Sequence, residues 1–351
     1  MTDGIPIEDA GHLRRNRDLW SLVSEQFTDG EAARRWQDRR VEWGLFRVPE
    51  RRLGVLGEVD GIGSASRFAY PEAIATAADG SLRVADTQNH TLRVVTAAAA
   101  VTTLAGFAPT PGTTDATGDA ARFQAPRGVV GDAAGNIYVV DTLNHAIRKV
   151  TPAGVVTTFA GQPGQYGSAD GTGSGARFFS PSGLAIDAGG NLYVADTSNH
   201  TIRRITPGAV VTTLAGLAGQ FGTANGTGAA ARFRFPSAVV VSGGALYVAD
   251  RSNHAIRKVT AGGEVTTFAG QPGTLGYTDG VGTAARFRQP SGVAAINGVV
   301  YVADTSNRVI RAIAADGTVT TLAGVGGQQG TVDGVGAIAR FVSPFALAAA
   351  G

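Results

Sequence analysis

The sequence predicts an all-β protein, a β-propeller, and three observations predict it. A strand ending in Asp and followed by Asn-His or Asn-Arg returns five times: A-D-T-Q-N-H-T-L-R at Asp86, V-D-T-L-N-H-A-I-R at Asp141, A-D-T-S-N-H-T-I-R at Asp196, A-D-R-S-N-H-A-I-R at Asp250 and A-D-T-S-N-R-V-I-R at Asp304. The spacing is 54 or 55 residues, a period at which each unit is one multi-stranded element that buries its apolar faces only against its neighbours. A second marker, A-R-F or S-R-F followed by two variable residues and Pro, runs in step at Arg67, Arg122, Arg177, Arg232, Arg286 and Arg340. The third observation is the strand content of each unit.

Taken in chain order, a unit begins with a short apolar run after the Pro, Gly183 to Ile186 in the third. L-Y-V-A-D (Leu192 to Asp196), T-I-R-R-I (Thr201 to Ile205) and V-T-T-L-A-G (Val211 to Gly216) follow. These are four strands rich in Val, Ile, Thr and Tyr, separated by turn-forming Gly, Asn, Asp and Pro. They are apolar on both faces more often than they alternate, as a blade sandwiched between two others requires. The expected architecture is a six-bladed type of propeller with five complete four-stranded blades and a partial sixth. The sixth unit stops at S-P-F-A-L-A-A-A-G. The expectation is an incompletely closed ring, a tendency to self-associate through the unfinished blade, and a truncated or fused reading frame.

The residues ahead of the repeats read differently, which divides the chain into residues 1–59 and 60–351. All three tryptophans (Trp20, Trp36, Trp43) precede residue 44. Leu19, Leu22, Val23 and Phe27 fall at helical spacing, and Thr28 with Glu31 forms a capping box before a second helix through Arg40. A short α-helical segment is therefore expected before the propeller.

The D-T-x-N-H-x-I-R motif followed by V-T-T-x-A-G resembles the NHL repeat over about residues 60–351. The resemblance implies a propeller, mostly six-bladed in this family, used as a scaffold for ligands. A weaker resemblance covers residues 11–59, where R-N-R-D-L-W-S-L-V-S-E-Q-F and W-G-L-F-R-V-P-E-R-R are similar to the leader of actinobacterial class I methyltransferases that use S-adenosylmethionine. The strand and Gly-rich loop that hold the methyl donor in those enzymes are replaced here by the repeat sequence D-G-I-G-S-A-S-R-F. No methyltransferase core follows the leader.

Composition narrows the chemistry. The 351 residues include no cysteine, which excludes disulfides and thiolate metal sites. The N-terminus lacks the apolar core of a secretory signal and no run of eighteen apolar residues is present. As written the chain is expected in the cytoplasm and off the membrane, although a parent propeller without such a leader is compatible with secretion. A formal charge of +2 is close to balanced and marks no general polyanion-binding surface.

Many arginines recur once per unit, and their first reading is structural. Asp precedes Arg by seven residues in every complete unit: Asp86 and Arg93, Asp141 and Arg148, Asp196 and Arg203, Asp250 and Arg257, Asp304 and Arg311. Across a hairpin, that spacing pairs a carboxylate with a guanidinium. His90, His145, His200 and His254 sit on separate blades, too far apart to share one metal ion, and read as packing residues. Asp60, Asp115, Asp170, Asn225, Asp279 and Asp333 open Gly-rich turns that lack the clustered carboxylates of a calcium loop. G-T-G-S-G at Gly171 to Gly175 sits in a turn rather than a strand-to-helix elbow. No catalytic residue, metal or cofactor is expected.

Function is sought where the units differ. The two residues before the Pro and the one after it vary, and the strand that follows is the innermost, so these side chains crowd one mouth of the central channel. Gln124, Arg127, Phe179, Arg234, Phe235, Arg288 and Gln289 are the candidates there, with Tyr166, Phe221 and Tyr277 on neighbouring loops. Arginines interleaved with aromatics suit an unknown protein, a peptide or an anionic small molecule. Two other classes stay open: a hydrolase or lactonase of the gluconolactonase-like propeller kind, and a nucleic-acid-binding propeller, whose affinity would fall steeply with salt.

Overall fold

In the computed structural model, residues 57–348 are described, apart from residue 78. The helical and methyltransferase-like leader lies outside the described residues. Five antiparallel sheets follow one another along the chain. Their innermost strands are Pro71–Thr76, Pro126–Gly131, Gly183–Ile186, Pro236–Ser242 and Gly292–Ile296, and each sheet then proceeds outward strand by strand in chain order. In the third blade the sequence is Gly183–Ile186, Leu192–Asp196, Thr201–Ile205 and Val210–Ala215, as the apolar runs predict.

Two expectations about the blades are corrected. The described residues form five blades, not six: the unit that opens at Arg340 contributes residues 341–348 without a single strand. Four of the five sheets also carry a fifth, two-residue strand. Gly61–Ile62, Gly171–Thr172, Gly226–Thr227 and Gly280–Val281 each pair with the outermost strand of their own blade. The D-G-x-G and N-G-x-G segments are thus edge strands that run into a 3-10 turn, and the turn residues alone gave no sign of the pairing.

The apolar cores lie between blades. Phe233, fully buried, packs with Ile202 and Ala215 of the preceding blade and Val248 and Val259 of its own; Phe123, Phe178 and Phe287 do the same at three other junctions. This explains the A-R-F marker, since one phenylalanine per unit fills each junction, where burial stabilises by about 1.5–3 kcal/mol. The Pro-x-Gly that follows has a steric cause. A Cβ on Gly183 would lie 2.5 Å from the Ala238 Cα and 2.7 Å from the Ser237 carbonyl oxygen of the next inner strand. Backbone meets backbone here, and only glycine fits.

The incomplete unit continues this pattern as far as it goes. Phe341 and Leu347 pack with Ala303, Ile310 and Ala323 of the fifth blade, and Ala346 and Ala348 pack with Phe68, Ile74 and Leu82 of the first. A Cβ on Gly292 would likewise lie 2.5 Å from the Phe345 carbonyl oxygen. Residues 341–348 therefore touch both the last blade and the first.

Candidate functional site

The recurring Asp and Arg form a closed structural cage. Arg93, Arg148, Arg203, Arg257 and Arg311 are fully buried. In the third blade, Arg203 donates from one guanidinium nitrogen to Asp196 Oδ2 at 2.8 Å and to the Arg177 carbonyl at 2.9 Å. Its other terminal nitrogen donates to Asp170 Oδ1 at 2.7 Å and to the Ala169 carbonyl at 3.0 Å. The guanidinium carbon lies 5.1 Å from the Phe178 ring centre. The turn acids predicted only to shape loops thus supply a second acceptor to each cage: Asp60 to Arg93, Asp115 to Arg148, Asn225 to Arg257 and Asp279 to Arg311. A bulge precedes each of these arginines in its pairing with the outermost strand, turning the side chain inward.

The Nε of each arginine has no partner among the described residues, whereas the carboxylate side of the cage is saturated. Asp196 accepts from the Phe179 amide at 2.8 Å and the Asn199 side chain at 2.8 Å, in addition to Arg203. Burial pushes the carboxyls of Asp86, Asp141, Asp196, Asp250 and Asp304 up to about 6, against the arginine and the hydrogen bonds that favour the charged form. The Asn of the motif also donates to a loop carbonyl, Gly167 for Asn199 at 2.6 Å.

The histidines join one blade to the next. Each closes a 3-10 turn in the left-handed conformation, with φ between 58° and 61°, and each Nδ1 accepts an amide hydrogen from the loop of the following blade. The donors are Ala125 to His90 at 3.1 Å, Ser180 to His145 at 3.1 Å, Phe235 to His200 at 3.2 Å and Gln289 to His254 at 3.1 Å. All four donors also have positive φ, from 43° to 51°. Burial lowers the pKa of all four imidazoles, and the positive charge of Arg234 adds to this at His200 and His254. A neutral ring with Nδ1 free of hydrogen is what the contact requires. Arg308 stands in the fifth unit and cannot accept.

The predicted binding residues separate into three places. Phe179 stacks on Tyr166 with ring centres 4.9 Å apart, and both rings meet His145 edge-on. One blade further, Phe235 and Phe221 meet His200 edge-on at 4.6 and 5.7 Å, and the Arg234 guanidinium lies 5.1 Å from the Phe221 ring. These are two equivalent aromatic ledges, with Tyr166 67% and Phe221 59% exposed. Gln124, Arg288 and Gln289 occupy the same variable pair in other units; the backbone amides of Gln124 and Arg288 bind the cage aspartates and that of Gln289 binds His254. Tyr277, two positions later in its loop, where Leu275 takes the equivalent place, leaves the ledge pattern and lies 5.4 Å from the buried Arg311 guanidinium.

Arg127 alone of the candidates lines the central channel, in a cavity of about 330 Å³ bordered by the starts of all five inner strands and by Phe345. Its Nε is 3.2 Å from Glu72 Oε2. On the other side the wall is a seam of serines: Ser182 donates to the Ser237 carbonyl at 2.8 Å, Ser237 to the Ser291 carbonyl at 2.9 Å, and Ser291 to the Phe345 carbonyl at 2.9 Å. Arg251 and Thr142 also line the cavity. Arg251 escaped the comparison of variable positions because it lies inside the repeated motif, where the other four units carry Thr.

Together the repeated blades, their Asp–Arg cages and their inter-blade histidines define an NHL-type β-propeller. The family model for the NHL repeat matches residues 178–205 and 233–259, and the repeat region is an NHL-repeat propeller. The human NHL repeat-containing protein 2 is 28% identical over 348 residues, covering 89% of this chain and 45% of its own length. The chain thus spans less than half of that relative. An auxiliary nutrient binding protein from Bacteroides ovatus aligns with a TM-score of 0.64 at 17% identity, over 86% of this chain and 69% of that one. A gluconolactonase from Xanthomonas campestris aligns with a TM-score of 0.51 at 16% identity, over 72% of this chain and 75% of that one. At such identities these likenesses concern the fold.

Proposed function

We propose that the chain is a non-catalytic binding scaffold that takes a protein or peptide on its loop face, with the channel mouth as a second recognition point for an anionic group. The observation that carries this reading is the pair of exposed aromatic ledges, Tyr166 with Phe179 and Phe221 with Phe235, repeated on successive blades around a histidine. Exposed aromatic patches beside guanidiniums fit a partner that is apolar and acidic in alternation. Among the described residues no three His, Asp or Glu side chains converge as metal ligands. The motif and turn acids are bound to the buried arginines, and Glu72 in the channel faces Arg127, so the lactonase reading stands on the shared fold alone.

The test is selection of acidic twelve-residue peptides from a displayed library against the purified protein. Peptides so recovered are expected to lose at least tenfold in affinity on Phe221→Ala or Arg234→Ala, with the melting temperature within 2 °C of wild type, the loss expected for central aromatic and Arg contacts. Selection that yields no binder sensitive to these substitutions would sink the loop-face reading.

A further inference from the structure

The channel cavity is asymmetric, and its asymmetry is chemical. Along the serine seam every hydroxyl is engaged by the next blade. The same lining holds two arginines and one carboxylate, Arg127, Arg251 and Glu72, which leave a net charge of about +1 in a partly enclosed space. Glu72 faces Arg127 at 3.2 Å. Arg251 makes no side-chain hydrogen bond to any described residue, and the charges that act on it are those of Arg127 and, more weakly, Glu72. Desolvation and the Arg127 charge both lower its pKa, the electrostatic mark of a cation short of an anion.

A second, separate observation comes from the motif threonines. Thr87, Thr197 and Thr305 each donate a hydroxyl hydrogen to the proline carbonyl of the next unit at 2.8 Å, to Pro126, Pro236 and Pro344. Thr142 is only 3% exposed, lines the cavity, and has no hydrogen-bond partner for its hydroxyl among the described residues. A buried hydroxyl without a partner costs about 1–3 kcal/mol. The fourth unit breaks the same rule differently, by replacing its Thr with Arg251.

The geometry points to a site for a small hydroxylated monocarboxylate in the channel mouth, its carboxylate held by Arg251 and Arg127 and its hydroxyl paired with Thr142. This rests on the reading of the chain as a binding scaffold and names the ligand class for the channel. A planar carboxylate matches the fork of a guanidinium. One net positive charge fits a monoanion better than the double charge of a phosphate monoester, and about 330 Å³ lies at the small end of ligand cavities.

Backbone amide shifts of the full chain, followed by NMR during titration with lactate at constant ionic strength, test the site, with inorganic phosphate and chloride as comparison anions. Saturable shifts confined to the inner-strand starts are expected. Affinity should fall at least fivefold in Arg251→Thr, which restores the residue of the other units, and at least twofold in Thr142→Val. Lys258→Ala, on the strand Ala255–Thr260 and outside the cavity, should change nothing. Should Arg251→Thr fail to fold, Arg251→Lys, which keeps the charge but not the fork, is expected to weaken binding at least threefold. Lactate shifts that never saturate, tighter binding of phosphate, or an Arg251 variant within twofold of wild type would overturn the assignment. Peptide binding to the ledges is read separately, so loss of one leaves the other standing.

Discussion

A fully buried arginine is held in each blade by partners for both terminal guanidinium nitrogens, only its Nε being without one among the described residues. Four hydrogen bonds from two nitrogens in Arg203 offset a desolvation that would otherwise expel the charge. Arg203→Ala strands Asp196 in the interior, and should cost about 3–5 kcal/mol in urea unfolding. A loss below 1 kcal/mol would mean that the cage is decorative. The histidine contacts carry a pH dependence with a definite sign. Burial holds the folded imidazole below the ordinary value of 6.5, so as pH falls through that value the unfolded chain takes up the proton first. The stability of the His200 contact is therefore full above about pH 7 and lost on acidification. His200→Asn keeps an acceptor in a left-handed turn without titrating. The variant's melting temperature is expected to drop less than the wild type's between pH 7 and pH 5; parallel drops would exclude the histidine as the source.

At the scale of the element, much of a blade is written in its sequence. The seven-residue Asp–Arg spacing, the positions of all four strands and the junction phenylalanine were legible because each recurs at a constant offset. The turn acids were not, although Asp60 precedes Arg93, and Asp170 precedes Arg203, by the same 33 residues. A carboxylate beside glycines carries a sufficient local explanation, and the partner lies two strands away. The aromatic ledges were half legible: residue types identified Phe179 and Phe235, whereas only the histidine between each pair of rings shows why they group by blade. Glycine 183 gives the element-scale prediction. Gly183→Ala drives a Cβ into Ala238 and should destabilise by about 1–3 kcal/mol, measured by the midpoint of denaturant unfolding. Blade four carries Ala238 at the equivalent position, so Ala238→Gly should shift that midpoint far less.

For the molecule as a whole, the sequence announced the propeller but overstated the blade count, because six A-R-F markers counted unit starts rather than sheets. Residues 341–348 form no strand, yet they supply carbonyls to Ser291 and Thr305 and cover Phe68 and Ile74 of the first blade. Removing residues 344–351 is expected to lower the melting temperature by about 2 °C or more, since uncovering apolar side chains costs more than 1 kcal/mol. It should also shift the chain toward dimers in sedimentation velocity. An unchanged, monomeric protein would show that these residues cover nothing of consequence. The channel site was the least legible part, because Arg251 is a departure inside a motif and not a variable position between motifs.

The histidine contacts run in one direction only, each blade offering an imidazole forward and an amide backward. A gene segment of one period therefore encodes a matched plug and socket. Duplicating or deleting any such segment between the first and fourth histidines rebuilds a complete joint at the new boundary, so blade number in this kind of chain is free to drift during evolution. The joint after Arg308 is the exception, since a guanidinium there offers no socket.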